Sequence, residues 1–212
     1  MNAADTPFLA IDVETTGLDP ARHKPLELGL ALITPDLDVA ARTSWIIPWR
    51  PESLLALRRD AGEHVDAMHE TSGLWRDCAE TPGNLYAMMT ADALPLLWPG
   101  YRDVMDWVGT HAPHPGIPLL GSSVHFDAHW AAAWFPCLLH TPEMGARTHR
   151  LADISAVREL LTRWAPHIVR DAPGSRKLHR VDPDLDDTLA EARHYRDALG
   201  LTWTNAPEAA AS

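Results

Sequence analysis

Cysteine is nearly absent from this chain. Cys78 and Cys137 are the only two, too few for a disulfide framework and without the spacing of a metal knuckle. Lysine is as rare: of 18 basic residues only Lys24 and Lys177 are lysine. Positive charge is in deficit, with 29 acidic residues and a formal net charge of −11. That excludes a broad electrostatic grip on long duplex nucleic acid, though not a strand held locally by metal ions and a few arginines. No apolar run approaches the roughly 20 residues of a membrane span, and no basic-then-apolar leader heads the chain. The expectation is a cytoplasmic protein with no membrane partner. Internal repeats and low-complexity linkers are also missing. The 212 residues suit one domain with a sizeable core. Residues 1–204 are read as that domain, and the small, polar residues 205–212 as a disordered tail.

What is present is an alternation of strands and helices. Phe8–Val13, Leu26–Thr34 and Thr43–Pro48 read as strands, separated by turn signals at Gly17-Leu18-Asp19-Pro20 and Thr34-Pro35-Asp36. Residues 52–93 read as helices broken by loops, punctuated at Thr81-Pro82-Gly83. A helix is expected over Tyr101–His111, a short buried strand over Ile117–Gly121, and a helix over Phe126–Trp134. A last strand over Leu151–Ser155 feeds a helix ending at Trp164. The final helix runs over Leu185–Leu199 and stops at Gly200. The apolar stretch Glu80–Gly100 is read as an extra helix packed on the core. The pattern implies one α/β domain with a mixed, mostly parallel central sheet flanked by helices.

The most informative residues are Asp12 and Glu14, at the end of the apolar run Phe8–Val13. Side chains alternate faces along a strand, so both carboxylates project from one face. Unpaired there they would repel each other and lose solvation, and a cation between them removes both costs. A strand end where two acids simply reach water is the plainer alternative. Asp127 opens an apolar helix and Asp184 opens the last one. Either alone could be a helix cap. His179 stands five residues before Asp184. Asp186 and Asp187 crowd the same turn and are read as solvated helix-start acids.

This order of strand carboxylate pair, helix-start Asp, then His and Asp five apart resembles the DEDDh 3′–5′ exonucleases over nearly the whole chain. The likeness is nearest to the oligoribonucleases. It is carried further by Met68-His69-Glu70-Thr71-Ser72-Gly73-Leu74, Gly121-Ser122-Ser123 and Arg150-Leu151-Ala152-Asp153-Ile154-Ser155. Leu160–Pro166 and the last helix, with Glu191 and Tyr195, extend it. The resemblance implies a ribonuclease H-like α/β fold and 3′–5′ hydrolysis of short RNA to nucleoside 5′-monophosphates. It implies two divalent cations, Mg²⁺ or Mn²⁺, held by Asp12, Glu14, Asp127 and Asp184. Hard oxygen ligands suit such ions. It makes His179 the general base, a role suited to the side chain whose protonation changes near neutral pH. Leu18 becomes a wedge between the last bases. His69, Ser72, Ser123 and Arg150 become substrate contacts, and Glu27 a supporting acid rather than a ligand.

Two positions depart from the family. His64 stands where oligoribonucleases carry Trp. His149 stands where they carry a Tyr that is donated across a homodimer. An imidazole still stacks, over less area, so both residues are retained as substrate contacts. Confinement to dinucleotides and the homodimer are the expectations these changes weaken. Three rival functions follow: trimming or proofreading of single-stranded DNA or structured RNA, cleavage of a linear signalling dinucleotide, and a non-catalytic nucleic-acid-binding module.

Overall fold

The computed structural model describes residues 6–83, 85–86, 88–112, 116–141, 145–146 and 150–202. His149 and the tail 205–212 lie outside these residues. Five strands build the centre: β1 (Phe8–Thr15), β2 (Pro25–Ile33), β3 (Val39–Ile46), β4 (Leu119–Gly121) and the short Leu151–Asp153. A two-residue pair, β5 (His140–Thr141) and β6 (Gly145–Ala146), precedes that last strand, which is therefore β7. The sheet order is β3-β2-β1-β4-β7. β1, β2 and β3 pair antiparallel, whereas β1, β4 and β7 pair parallel. The sheet is thus mixed: β1, β3, β4 and β7 run one way and β2 the other, so two of the four strand pairings are antiparallel and two parallel. The turns joining the first three strands are too short for a crossover, which only parallel neighbours need.

The helices are α1 (Pro51–Thr71), α2 (Leu74–Glu80), α3 (Leu94–Leu97), α4 (Gly100–His111), α5 (Val124–Trp134), α6 (Ile154–Trp164), α7 (Pro166–Arg170) and α8 (Val181–Ala198). α1 is broken at Gly62, whose φ of 79° lies in the left-handed region that glycine occupies without penalty. Each face of the sheet covers its own core. Leu9, Ile11 and Val13 pack with residues of α1, α2, α4 and α5. Ala10, on the alternate face, packs with Ile154, Leu161, Leu185, Leu189 and Tyr195 of α6 and α8. Asp12 and Glu14 continue the Ala10 face, so they emerge beneath α8.

Three boundaries moved. β3 begins at Val39 because its pairing with β2 runs as far as Ile33; Pro48 lacks the N–H to prolong it. α8 starts at Val181, one turn early, since Pro183 falls in the first turn where no N–H is required. The stretch 80–100 does pack on the core through Leu85, Met89, Leu94 and Trp98, but among its described residues the helix is short, a 3₁₀ turn over Ala91–Ala93 leading into Leu94–Leu97.

Candidate active site

β1 is the bed of the site. Glu14 lies opposite Glu27 of β2, and the register slips between Glu14 and Thr15, so regular pairing ends at the carboxylates. On the other side β4 pairs only with Leu9 and Ala10. The backbone N–H of Val13, beyond that pairing, donates instead to Asp127 Oδ1 at 3.0 Å. Asp127 thereby closes the strand end while sitting buried in the first turn of α5. α8 comes close because β2 carries Gly29, the partner of Asp12. A Cβ there would lie 2.6 Å from Val181 Cβ.

The result is a cluster of acids. Glu14, His179 and Asp184 each offer a ligand atom within 4.8 Å of the others. Asp12 and Asp184 share a cleft of about 440 Å³ between α6 and α8, walled by Arg158, Glu191 and Tyr195. Burial, the neighbouring Asp184 and Glu27 push the Asp12 carboxyl up to about 8. Glu14 and Asp127 are held well above the usual carboxylate range, by burial first and by their neighbours' charge second. Burial also raises Asp184, and its Oδ1 is buried without a hydrogen-bond partner. Hard oxygen donors, mutual repulsion and an orphaned carboxylate oxygen are what a divalent cation would resolve, so these residues fit one.

His179 is held from both sides. The following residue, Arg180, makes a bidentate pair with buried Glu27 at 2.9 and 3.1 Å and a second pair with Asp77 at 2.8 Å. On the preceding side, Arg176 Nε donates to Asp187 Oδ1 at 2.7 Å and its backbone N–H to Oδ2 at 2.7 Å. Asp187 is therefore a clasp rather than a solvated acid, and Asp186 is paired too, with Arg42 at 2.6 Å. The sequence reading missed both arginines. Their only sequence signal is that basic residues flank His179 with acids one helical turn beyond.

The substrate-contact candidates divide. Leu18 is 80% exposed, at the tip of a loop pinned to α5 by Trp134 Nε1 donating to the Pro20 carbonyl at 3.0 Å. His64 and Ser72 come together with His179 in a separate groove of about 370 Å³. His69 does not reach a surface. It is fully buried, its Nε2 donates to the Thr15 carbonyl at 2.8 Å, and its Nδ1 stands 4.0 Å from Glu14. Its ring props the end of β1 and packs edge-on against Trp75. Ser123 caps α5 with φ 60° and donates its N–H to Asp153 Oδ1 at 3.0 Å. Burial of Asp153 is outweighed by hydrogen bonds from Ser155, Ser123 and Ala156, which keep its carboxyl low. Arg150 is exposed and donates to the Gly116 carbonyl.

Comparison with known proteins places this arrangement. The oligoribonuclease of Pseudomonas aeruginosa is 31% identical over 188 residues, covering 88% of this chain and 92% of that one. The chain belongs to the oligoribonuclease family. The oligoribonuclease of Mycobacterium ulcerans is 29% identical over 190 residues, covering 88% of this chain and 78% of its own. No protein-family model matches. Among solved structures, a complex of E. coli exonuclease I with single-stranded DNA superposes with a TM-score of 0.58 at 15% identity, over 92% of this chain. The chain spans 41% of that exonuclease, and at this identity the likeness is one of fold. Among the described residues no helix is long and apolar enough to cross a membrane.

Proposed function

We propose that the chain, a 3′–5′ exoribonuclease by its family, removes the 3′-terminal nucleotide of short single-stranded RNA as a nucleoside 5′-monophosphate. The observation that carries this reading is the convergence of Glu14, His179 and Asp184 within 4.8 Å, beside Asp12, from two widely separated stretches of sequence. Asp12, Glu14, Asp127 and Asp184 would hold two divalent ions, Mg²⁺ or Mn²⁺. When bound, these supply positive charge at the scissile phosphate and make water more acidic. His179 takes the proton of the attacking water as its oxygen bonds to phosphorus. The bond from phosphorus to the 3′ oxygen of the penultimate nucleotide breaks, and that oxygen is protonated from solvent. The Arg176 and Arg180 anchors hold the imidazole over the carboxylates, and Leu18 stands free to wedge against a terminal base.

The test is product analysis on 5′-labelled RNA of two, five and twenty nucleotides with Mn²⁺, and on matching DNA, wild type beside Asp12→Ala. Fastest cleavage of the RNA dinucleotide, absent in the variant, is the expected result. Stepwise shortening of the longest RNA with the dinucleotide untouched moves the substrate to a general trimming exonuclease. Preference for DNA moves it to a single-strand DNA end. No cleavage of any length refutes the reading.

A further inference from the structure

A polyanion approaching this site meets four carboxylates and finds most nearby arginines already neutralised. Arg158 is paired with Glu191, Arg176 with Asp187, and Arg180 with Glu27 and Asp77. Lys177 is different. Among the described residues no carboxylate lies in ion-pair range of its ammonium. It lines the 370 Å³ groove together with His64, Met68, Ser72, Leu178 and His179. The backbone is left-handed at both Lys177 (φ 51°) and His179 (φ 52°). Non-glycine residues avoid that conformation, and it persists where the surroundings impose it. Here the two turns set the side chains of Lys177 and His179 on one groove.

We propose that this groove is a nucleotide subsite in which Lys177 binds a phosphate of the RNA. The inference rests on the proposed exoribonuclease reading and deepens it. Lys177 acts on substrate affinity and not on the chemical step, because it has no place among the carboxylates.

The experiment compares wild type, Lys177→Ala, Lys177→Glu and Lys177→Arg, with Arg102→Ala, at an exposed position of α4, as a control of equal charge change. Steady-state cleavage of a 5′-labelled RNA pentamer is measured at several salt concentrations. Binding of the same RNA is measured by fluorescence anisotropy in the Asp12→Ala background. Lys177→Ala is expected to raise KM and weaken binding about tenfold with kcat little changed, consistent with loss of one charge-assisted contact. Lys177→Glu should weaken binding further and Lys177→Arg should restore most of it. One lost phosphate contact should also flatten the slope of log affinity against log salt by about 0.7. Unchanged KM, affinity and salt slope in Lys177→Ala would overturn the proposal, as would an equal effect from Arg102→Ala. Binding that depends on Lys177 without cleavage in the wild type would remove the proposed activity and leave the subsite standing. Absence of RNA binding by the Asp12→Ala protein and the wild type alike would remove both.

Discussion

Replacing Arg180 with Met tests whether His179 and α8 are held by a buried charge pair. Glu27 has a side chain only 5% exposed and Arg180 one 25% exposed. Besides Arg180, the Glu27 carboxylate accepts a marginal hydrogen bond from the Val181 N–H at 3.4 Å. Removing one member of such a pair strands the other, at a cost of about 3–5 kcal/mol. For a chain of this size each kcal/mol lowers Tm by about 2–4 °C, so Arg180→Met should melt roughly 6–20 °C earlier. The double replacement Glu27→Met with Arg180→Met removes the stranded charge and should recover most of that loss. Differential scanning fluorimetry on the two single variants, the double variant and wild type gives the cycle. At a temperature where all four are folded, cleavage of short RNA should still fall about a hundredfold in Arg180→Met, because the residue beside His179 has lost its anchor. A Tm within 2 °C of wild type, or a double variant no more stable than Arg180→Met, would refute the argument.

Other outcomes follow from the same geometry. In chelator, stability should fall as pH rises from about 4 to about 8. The folded protein keeps the Asp12 proton up to about 8 whereas the unfolded chain loses it near its ordinary value, so the unfolded state binds fewer protons throughout that window. Mn²⁺ binds the ionised carboxylates, so its stabilising shift in Tm should be larger at pH 8 than at pH 5.5; melting curves rising with pH in chelator would contradict this. Gly29→Ala should cost about 1–3 kcal/mol by overpacking Val181 and depress turnover by displacing Asp184, checked by denaturant melts and kcat together. His69→Ala should destabilise by about 3 kcal/mol through the lost ring and the lost bond to Thr15, with kcat falling more than KM rises; a pure KM effect would make it a substrate contact instead. His179→Ala should lower turnover by about 10²–10⁴ while the Mn²⁺-induced shift in Tm survives.

The residues of the candidate site were legible where their signal is local. Asp12 and Glu14 stand out because two charges interrupt an apolar strand, and period two places them on one face whatever surrounds them. His179 and Asp184 are legible by spacing within a single loop and turn. The apolar runs likewise marked most strands and helices, since periodicity needs no partner. Other features depend on residues far apart in the chain. Arg180 meets Glu27 across 153 positions, and no pattern near either residue announces the pair. His69 reads as a substrate contact through the resemblance, yet packing encloses it and spends its Nε2 on Thr15. Lys177 shares a groove with His64 only because the second half of α1 lies beside the loop before α8. The antiparallel pairing of β1, β2 and β3 was settled by short turns that forbid a crossover. Sequence determined which side chains could do chemistry, because that is a property of residue type and local spacing. Tertiary structure decided which of them face a ligand and which are braces, because burial and long-range pairing exist only once the chain has closed on itself.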